Sequence, residues 1–529
     1  MMDTQYFVAT ILLCLGITVL IQAISTYRFR NKLPLPPSPT ALPIIGHIHL
    51  LGLIAHQALH KLSTHYGPLM YLFIGSIPNL IVSSTEMANE ILKSNELNFL
   101  NRPTMQNVDY LTYGSADFFS APYGLHWKFM KRICMMELFS SRALDSFVNV
   151  RTEELRKLLV RVMKKSEVEE SVDLGEQLKE LTSSIITRMM FRERRSDSGI
   201  REEVITMVVE LNELAGFFNV SETFWFLRRL DLQGIKKRLK NARERYDVII
   251  ERIMKEHESR NHKEAGGARS MLDILLDIYE DKNSEMKLTR ENIKGFIMVT
   301  CLLKSNTQDS CYIFCSFIVV QNIYGGGTDT SAITVEWALS ELINHPEIMK
   351  KAQQEIEQAV GNRRLVEESD LCNLSYIQAV VKETLRLHPG GPIFVRESNE
   401  ECAVAGYRIP AKTRVMVNVW AIGRDPNQWE DPLEFRPERF EGSEWKITSE
   451  KMVSFGAGRR SCPGEKMVFR FVPLVLAAVI QCFELKVKGR VEMNEGSGSS
   501  LPRATPLVCV PVAMMDIKSF ISLEPKVNF

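Results

Sequence analysis

The sequence predicts a mainly α-helical protein with a small β portion, preceded by one N-terminal transmembrane helix. Apolar residues recur at helical spacing over most of the chain, most clearly in Leu232–Arg260, where they stand among basic and acidic residues. Short apolar runs beside glycine or proline, in Met70–Ser83 and Cys402–Val417, indicate a few strands. The apolar run Tyr6–Ile24 indicates the transmembrane helix.

This N-terminal run carries no charge and nearly reaches the ~20 residues that cross a bilayer core. Basic residues between Arg28 and Lys32 follow it, which favours a cytosolic position for the rest of the chain. A cleaved signal peptide is the alternative, but its basic residues would precede a shorter apolar core, whereas here Asp3 precedes the run. Residues 1–26 are therefore predicted to form a membrane anchor.

Residues 27–47 form a basic and proline-rich hinge in this prediction, because four prolines within six positions exclude a helix. Length alone would suggest several domains of about 150 residues. No long linker divides residues 48–529, however, so we expect one large domain there. The net charge of +1 argues against a nucleic-acid partner. The ten cysteines form no CxxC pair, which indicates reduced thiols in a cytosol-facing domain.

One cysteine near the C-terminus stands among glycines and arginines. The segment Phe455–Gly464 reads F-G-A-G-R-R-S-C-P-G, with Cys462 as its cysteine. Glycine lets the backbone approach a flat group closely, and nearby amide and cationic groups favour an ionised thiolate. A chance match to the six fixed positions of F-G-x-G-x-R-x-C-x-G has a probability of about one in 10⁸, at roughly 5% per position. A buried cysteine in a glycine-rich turn is the alternative interpretation.

This segment resembles the cysteine loop of the cytochrome P-450 superfamily. The resemblance implies the fold of that superfamily for residues 48–529, a haem b cofactor and Cys462 as the axial thiolate ligand of its iron. Lys131 replaces the arginine of the family's W-x-x-x-R element, which keeps the charge but loses bidentate geometry. The neighbouring Lys128 and Arg132 could face an acidic reductase, and an ordinary basic helix surface is the alternative for these two residues. The resemblance assigns haem binding to Cys462, Trp127, Lys131, Arg396, Phe455, Gly456, Arg460 and Gly464.

Two further family elements precede the cysteine loop. Glu383 and Arg386 are three residues apart and so share one helical face, a spacing that most often gives a surface ion pair worth under about 1 kcal/mol. By resemblance, Arg439 joins them in a buried network that supports the haem pocket without taking part in catalysis.

The second element is Gly326–Ser331, which precedes an apolar helical segment. Glycines inside a helix cost about 1 kcal/mol each, so a reason for them is expected. The resemblance explains them by a locally opened turn that leaves room for dioxygen. It makes Asp329 and Thr330 an acid–alcohol pair that relays protons during oxygen activation. A threonine that bonds back within its helix, beside an exposed aspartate, is the alternative.

Leu387–Pro392, Trp420–Pro426 and Glu434–Phe440 look like plant biosynthetic members of the superfamily. They resemble the group that contains flavone synthase II, 2-hydroxyisoflavanone synthase, pterocarpan 6a-hydroxylase and a triterpenoid hydroxylase. The implied function is a monooxygenase that hydroxylates or desaturates a flavonoid or isoflavonoid with O₂ and electrons from NADPH, delivered by a reductase. A triterpenoid hydroxylase is the alternative. The implied location is the endoplasmic reticulum membrane, with a single pass and the catalytic domain in the cytosol.

A flat, apolar ring substrate needs an aromatic and aliphatic cavity. The residues predicted to line it are Tyr110, Phe119, Phe218, Gly326, Gly327, Ile393, Phe394 and Pro506, for which core packing is the alternative. Other functional classes also remain open: a thiolate-haem isomerase or dehydratase, a haem protein that does not activate oxygen, and an inactive product of a mis-spliced gene. The intact acid–alcohol pair argues against the first, and the lack of a helix with paired histidines argues against the second.

The resemblance fails in Val299–Gln321. The preceding residues begin a helix, with Thr289 as its N-cap, and the helix resumes downstream as far as Asn344. As one helix, these 56 residues would span roughly 84 Å at about 1.5 Å each, whereas a compact domain of about 500 residues has a diameter near 60 Å. Without the insert, 33 residues give roughly 50 Å, which fits.

The insert must therefore loop out, or it is absent from the natural protein. Every valine codon begins with GT and one glutamine codon is CAG, so both ends permit the borders of an in-frame intron. Our hypothesis is that residues 299–321 are a retained intron and that Met298 is normally joined to Asn322. A loop insertion is the alternative.

Overall fold

The computed structural model describes residues 33–191, 219–227, 231–259, 269–301, 323–442 and 451–515, together with Gly16 and Leu214. Helices dominate these regions, as predicted. They are α1 (Ala55–Tyr66), α2 (Thr85–Asn89), α3 (Gln106–Leu111), α4 (Leu125–Glu137), α5 (Ser141–Ser146), α6 (Val148–Glu167), α7 (Leu174–Phe191), α8 (Val220–Thr223), α9 (Ile235–Glu258), α10 (Met271–Glu280), α11 (Arg290–Cys301), α12 (Ile323–Asn344), α13 (Pro346–Ala359), α14 (Ser375–Leu387), α15 (Val419–Ile422) and α16 (Glu465–Cys482).

The β portion of the described residues consists of three small sheets. The largest has the strand order β1-β2-β7-β4, in which β7 pairs in parallel with β2 and antiparallel with β4. The others have the orders β3-β9-β8 and β5-β6. The strands are β1 (Leu69–Ile74), β2 (Ile77–Val82), β3 (Val172–Asp173), β4 (Ile393–Glu397), β5 (Cys402–Val404), β6 (Tyr407–Ile409), β7 (Arg414–Asn418), β8 (Phe483–Lys486) and β9 (Val508–Ala513).

The predicted strands around residues 70–83 form the hairpin β1-β2, which turns at Gly75. Gly75 has a φ of +59°, in the left-handed region that glycine adopts most readily. A Cβ at this position would lie 2.5 Å from Cγ2 of Thr223. The turn therefore depends on glycine both for its backbone angle and for the close approach of helix α8.

The charged amphipathic segment forms helix α9, which begins at Ile235, three residues after the predicted start. Asp231 explains the difference, because its carboxylate accepts hydrogen bonds from the backbone N–H groups of Ile235 and Lys236 at 2.9 and 3.1 Å. It satisfies two of the donors that a helix N-terminus leaves unpaired. Residue Leu232 therefore lies in the turn that leads into the helix.

Helix α12 lies in the middle of the core. It packs against α7, α14 and α16, and its side chains from Ala332 to Leu342 are buried almost throughout. Helix α16 is buried over most of its length as well. These two helices pack against each other, so they bring Thr330 and Ser331 close to the cysteine loop although more than 100 residues separate them in the sequence.

Helix α11 begins as predicted. The hydroxyl of Thr289 accepts a hydrogen bond from the backbone N–H of Asn292 at 3.1 Å, which makes Thr289 its N-cap. The helix extends through residues 299–301, and helix α12 starts at Ile323 and contacts it. The rest of the predicted insert, residues 302–321, lies outside the described residues.

None of the helices in the described parts of the chain combines the length and the apolar character that a bilayer crossing needs. The predicted anchor, residues 1–26, lies outside the described residues except for Gly16, so it remains a prediction. The described part of the hinge is not helical. In it, the carbonyls of Pro34 and Pro37 accept hydrogen bonds from the backbone N–H groups of Arg408 and Tyr71.

Candidate functional site

The cysteine loop folds back on itself just before helix α16. The backbone N–H of Cys462 donates to the carbonyl of Phe455 at 2.8 Å, and the loop between them contains a short 3₁₀ turn, Gly458–Arg460. Gly456 and Gly458 both have a φ of +70°. A Cβ at Gly458 would lie 2.7 Å from the carbonyl oxygen of Leu92, so this glycine permits a close approach that other residues would prevent.

The sulfur of Cys462 faces a cavity between helices α12 and α16. About 1270 Å³ of empty space lies there, part of it open to solvent. Phe118, Phe119, Phe139 and Phe394 contribute aromatic walls. Thr330, Ser331 and Thr334 of helix α12 add three hydroxyl groups. The cavity therefore combines a thiol with one polar wall and several apolar ones.

Three arginines converge on one end of this cavity. Arg396 donates through Nη2 to the carbonyl of Arg460 at 3.1 Å, and Arg460 donates to the carbonyls of Phe119 and Ala121 at 3.2 and 2.5 Å. Arg102 stacks its guanidinium 3.7 Å from the ring centroid of Phe119. Burial, followed by mutual repulsion, lowers the pKa of Arg460 to about 9.

The pKa of Arg396 falls to about 10, chiefly because it is buried. Burial also lowers the pKa of Arg102 well below its ordinary value, and the charges of Arg396 and Arg460 lower it further. The Nε atoms of Arg102 and Arg460 are buried and have no hydrogen-bond partner in the protein. This end of the cavity is therefore built for an anion.

The indole of Trp127 lies beneath the arginines. Its side chain is almost fully buried, and the guanidinium of Arg460 stands 4.3 Å from its ring centroid. Lys131, one turn further along α4, donates through Nζ to the carbonyl of Arg459. Burial lowers the pKa of Lys131, and the charges of Arg460 and Arg396 lower it further. Both predicted residues thus lie beside the cysteine loop.

Glu383, Arg386 and Arg439 meet in a buried network. Arg386 forms two parallel hydrogen bonds of 2.7 Å with the carboxylate of Glu383, and Nε of Arg439 lies 3.3 Å from the same carboxylate. Arg386 also donates to the carbonyls of Gly423, Pro432 and Glu434. The pair Glu383–Arg386 is completely buried, so loss of either charge would cost about 3–5 kcal/mol.

Helix α12 presents Thr330 to the cavity, whereas Asp329 beside it is partly buried. The backbone is α-helical through Gly326 and Gly327, although the resemblance implied an opened turn there. The opened turn is therefore not observed here. Glycine permits an opened turn but does not require one, so these residues are also compatible with a regular helix. The hydroxyl of Thr334 donates to the carbonyl of Thr330 at 2.7 Å, within the helix.

A family profile described as "Cytochrome P450" matches residues 36–302 and 318–510. This chain belongs to the cytochrome P450 family. The 3,9-dihydroxypterocarpan 6A-monooxygenase of Glycine max is 47% identical over 520 residues, which cover 95% of this P450 and 97% of that protein. Cytochrome P450 93B2 of Gerbera hybrida is 43% identical, over 92% and 93% of the two chains. The beta-amyrin 24-hydroxylase of Glycine max is 39% identical, over 97% and 98%.

The matches confirm the predicted family and the assignment to the monooxygenases. The family carries a haem with a cysteine thiolate ligand, and the cavity of this P450 fits that group. Cys462 and the arginines Arg102, Arg396 and Arg460 line the same cavity. Haem has an iron that takes a thiolate ligand, and it has two carboxylates that pair with cations. The cysteine fits the iron and the arginines fit the carboxylates.

The ionisation of the Cys462 thiol depends on the groups around it. Burial raises its pKa to about 11, whereas the backbone N–H groups of Gly464 and Glu465 act in the opposite direction. These groups belong to the start of helix α16, whose N-terminal end favours negative charge. A bound metal cation deprotonates a coordinating thiol outright, so a haem iron at this position would favour the same thiolate as the helix N-terminus.

The structure places only some of the predicted substrate residues in the cavity wall. Phe119 and Phe394 line it. Ile393 does not, because neighbouring residues of strand β4 point to opposite faces of the sheet. Pro506 is exposed in the loop before β9, and Tyr110 is exposed beside the guanidinium of Arg243. Phe218 lies outside the described residues. For Gly326 and Gly327 the structure describes the helical backbone.

Sequence reasoning missed Arg102 and the pair Gly390–Gly391. All three line the cavity. Arg102 stands in the sequence Asn-Arg-Pro, and no repeat or spacing in the chain connects it with the distant Cys462. The sequence alone therefore indicates a role for Arg102 only weakly. Both glycines belong to the plant-type passage Leu387–Pro392, but the position of Gly390 beside Thr330 depends on how helices α12 and α14 pack.

We expect Cys462→Ala to abolish the long-wavelength absorption band of the reduced, carbon-monoxide-bound protein, because no thiolate would face the iron. The measurement is a difference spectrum of the purified protein. Cys372→Ala serves as the control, since Cys372 is an exposed free thiol outside the cavity. Persistence of the band in Cys462→Ala would show that another group binds the iron.

Proposed function

We propose that this P450 hydroxylates or desaturates a flavonoid or isoflavonoid in plant secondary metabolism, as a flavone synthase or a pterocarpan 6a-hydroxylase would. The observation that carries the proposal is the cavity, in which Cys462 and Thr330 share one space with aromatic walls. Flat ring systems suit aromatic walls of this kind. The 47% identity to a monooxygenase named for a dihydroxypterocarpan supports the choice of substrate class.

The haem, when bound, supplies the activation of dioxygen with electrons from a reductase. The residues of this chain provide the remaining functions. Cys462 would ligate the iron, and Arg102, Arg396 and Arg460 would pair with the propionates, with Trp127 and Lys131 beside them. Phe118, Phe119 and Phe394 orient the substrate and exclude water.

Proton delivery is the proposed role of Asp329 and Thr330. The hydroxyl of Thr330 both donates and accepts a hydrogen bond, so it can pass a proton into the cavity whose wall it forms. The carboxylate of Asp329 would resupply that proton from the partly solvated side of helix α12. Glu383, Arg386 and Arg439 hold the surrounding backbone and take no part in the chemistry.

The proposed location is the endoplasmic reticulum membrane, with residues 1–26 as a single-pass anchor, residues 27–47 as a hinge and residues 48–529 in the cytosol. The uncharged N-terminal run and the basic residues after it support this topology. The proposed electron source is NADPH, through a membrane-bound cytochrome reductase.

A triterpenoid hydroxylase is the second candidate, supported by 39% identity to the beta-amyrin 24-hydroxylase across nearly the whole of both chains. Microsomes that contain this P450 and a reductase, supplied in parallel with a flavanone, 3,9-dihydroxypterocarpan and beta-amyrin, separate the two. We expect NADPH-dependent turnover of a flavonoid or pterocarpan, detected by mass spectrometry. Turnover of beta-amyrin alone would overturn the proposal, and microsomes with the Cys462→Ala variant provide the control.

We expect Thr330→Ala to keep the thiolate–haem spectrum but to release peroxide in place of product, because the proton relay is interrupted. Product formed per NADPH should fall several-fold at least, since a positioned proton donor contributes roughly 100-fold to 10,000-fold to a rate. Thr330→Ser keeps the hydroxyl and should retain most of the coupling. Coupling in Thr330→Ala equal to that of the unaltered protein would assign proton delivery to another group or to water.

The anomalous segment has its own proposal: residues 299–321 are a retained intron, and Met298 is normally joined to Asn322. The family profile supports this, since it matches on both sides and leaves residues 303–317 unmatched, inside the predicted insert. The helical segments α11 and α12 on either side also support it. A continuous helix from Thr289 would then contain about 33 residues and fit the domain.

Sequencing of transcripts from the source tissue tests this proposal. We expect a message in which codon 298 is followed directly by codon 322. Expression of both forms adds a protein-level measurement, in which the shorter form should incorporate more haem per polypeptide. Only full-length message, together with equal haem content in the two proteins, would identify the segment as a tolerated loop.

A further inference from the structure

A buried cluster outside the cavity connects helix α12 with the turn that follows helix α14. The imidazole of His388 stacks on the indole of Trp337, with ring centroids 4.0 Å apart and planes 1° from parallel. Its Nε2 lies 2.7 Å from a carboxylate oxygen of Glu341, one turn beyond Trp337 on the same helix. Trp337 and His388 are both at most 5% exposed. We call these three residues the His388 brace.

The His388 brace also holds a third segment. The indole N–H of Trp337 donates to the carbonyl of Leu501 at 2.7 Å, and the backbone N–H of Leu501 donates to the carbonyl of Gly390 at 3.3 Å. These contacts form a closed ring. Helix α12 bonds to Leu501, Leu501 bonds to Gly390 in the turn after His388, and the imidazole of His388 contacts helix α12 again. Each link is buried, so the turn has little freedom to move away from the helix.

The turn that is held in this way contacts Thr330. A Cβ added to Gly390 would lie 2.9 Å from Cβ of Thr330 and 3.2 Å from its Cγ2. The methyl side of Thr330 therefore faces Gly390 at close range. A threonine has three staggered side-chain orientations, and a wall at this distance favours the one that keeps the methyl group against the glycine.

We propose that His388 is a positioning residue for the oxygen-side wall of the cavity. Through Trp337 and Glu341 it holds Gly390 against Thr330, and so fixes both the orientation of the Thr330 hydroxyl and the width of the cavity beside it. This proposal rests on the proposed role of Thr330 in proton delivery.

Two variants disturb the contact between Gly390 and Thr330 in opposite ways. His388→Gln keeps a side-chain amide that can bond Glu341 but removes the ring that stacks on Trp337. Gly390→Ala leaves the brace intact and pushes directly on Thr330. The matched control is His345→Ala, because His345 also contacts Glu341, at 3.4 Å, but lies at the helix end away from Gly390. The haem content of every variant is measured first.

The first measurement needs no turnover and no natural substrate. The ferric proteins are titrated spectroscopically with imidazole, which is small, and with clotrimazole, a bulky triaryl imidazole that reaches the cavity walls. We expect His388→Gln and Gly390→Ala to change the dissociation constant for clotrimazole by about twofold or more, the smallest effect expected between contacting residues. The constant for imidazole should stay the same, as should both constants in His345→Ala.

The second measurement is peroxide released per NADPH, in the wild type and in the Thr330→Ala background. We expect both variants to raise the peroxide yield when Thr330 is present and to add nothing when it is absent, because coupled residues are not additive. Equal effects in both backgrounds would overturn the proposal. Unchanged clotrimazole binding, or a parallel loss of haem and of both azole affinities, would also overturn it.

These outcomes separate the two proposals. Altered clotrimazole binding and a Thr330-dependent peroxide yield would support the positioning role even if no flavonoid or pterocarpan were turned over. In that case the proposed substrate class would fail and the role of His388 would stand.

Discussion

The buried pair Glu383–Arg386 is the interaction on which the geometry of the site depends. Two parallel charge-assisted hydrogen bonds satisfy each group, and the remaining donors of Arg386 reach three backbone carbonyls between residues 423 and 434. A guanidinium can do this because its donors lie in a fixed planar fork. One ion pair at the end of helix α14 thereby fixes an irregular segment of the chain.

The same helix end also reaches the cysteine loop. The hydroxyl of Ser454 donates to the carbonyl of Leu385, between the two charged residues, so the start of the loop is tied to the ion pair. A Cβ at Gly423 would lie 2.1 Å from the carbonyl oxygen of Arg386, which shows how closely the irregular segment approaches the helix. Disturbance of Glu383 or Arg386 would therefore move the loop that carries Cys462 without any contact to the sulfur.

The sequence allowed prediction of those features whose signal is local. The cysteine loop, the spacing of Glu383 and Arg386, and the cap at Thr289 each depend on neighbouring residues, and the structure places them accordingly. The cavity wall depends on packing between distant elements, which a single sequence does not encode in any short pattern. Arg102 and Gly390 were missed for that reason, and Ile393 was assigned to the wall because strand alternation alone does not say which face is lined by the cavity.

The arginines at the cavity suggest how cofactor and fold depend on each other. Arg102, Arg396 and Arg460 carry like charges in a buried region, and their mutual repulsion opposes folding. The buried carboxylate of Asp117 offsets part of it, since it attracts both Arg102 and Arg460. A group that brings two carboxylates would offset more of this repulsion, and a ligand that binds only the folded state stabilises that state. With the arginines as the proposed partners of the propionates, the same charges would make the folded site more stable with the cofactor than without it.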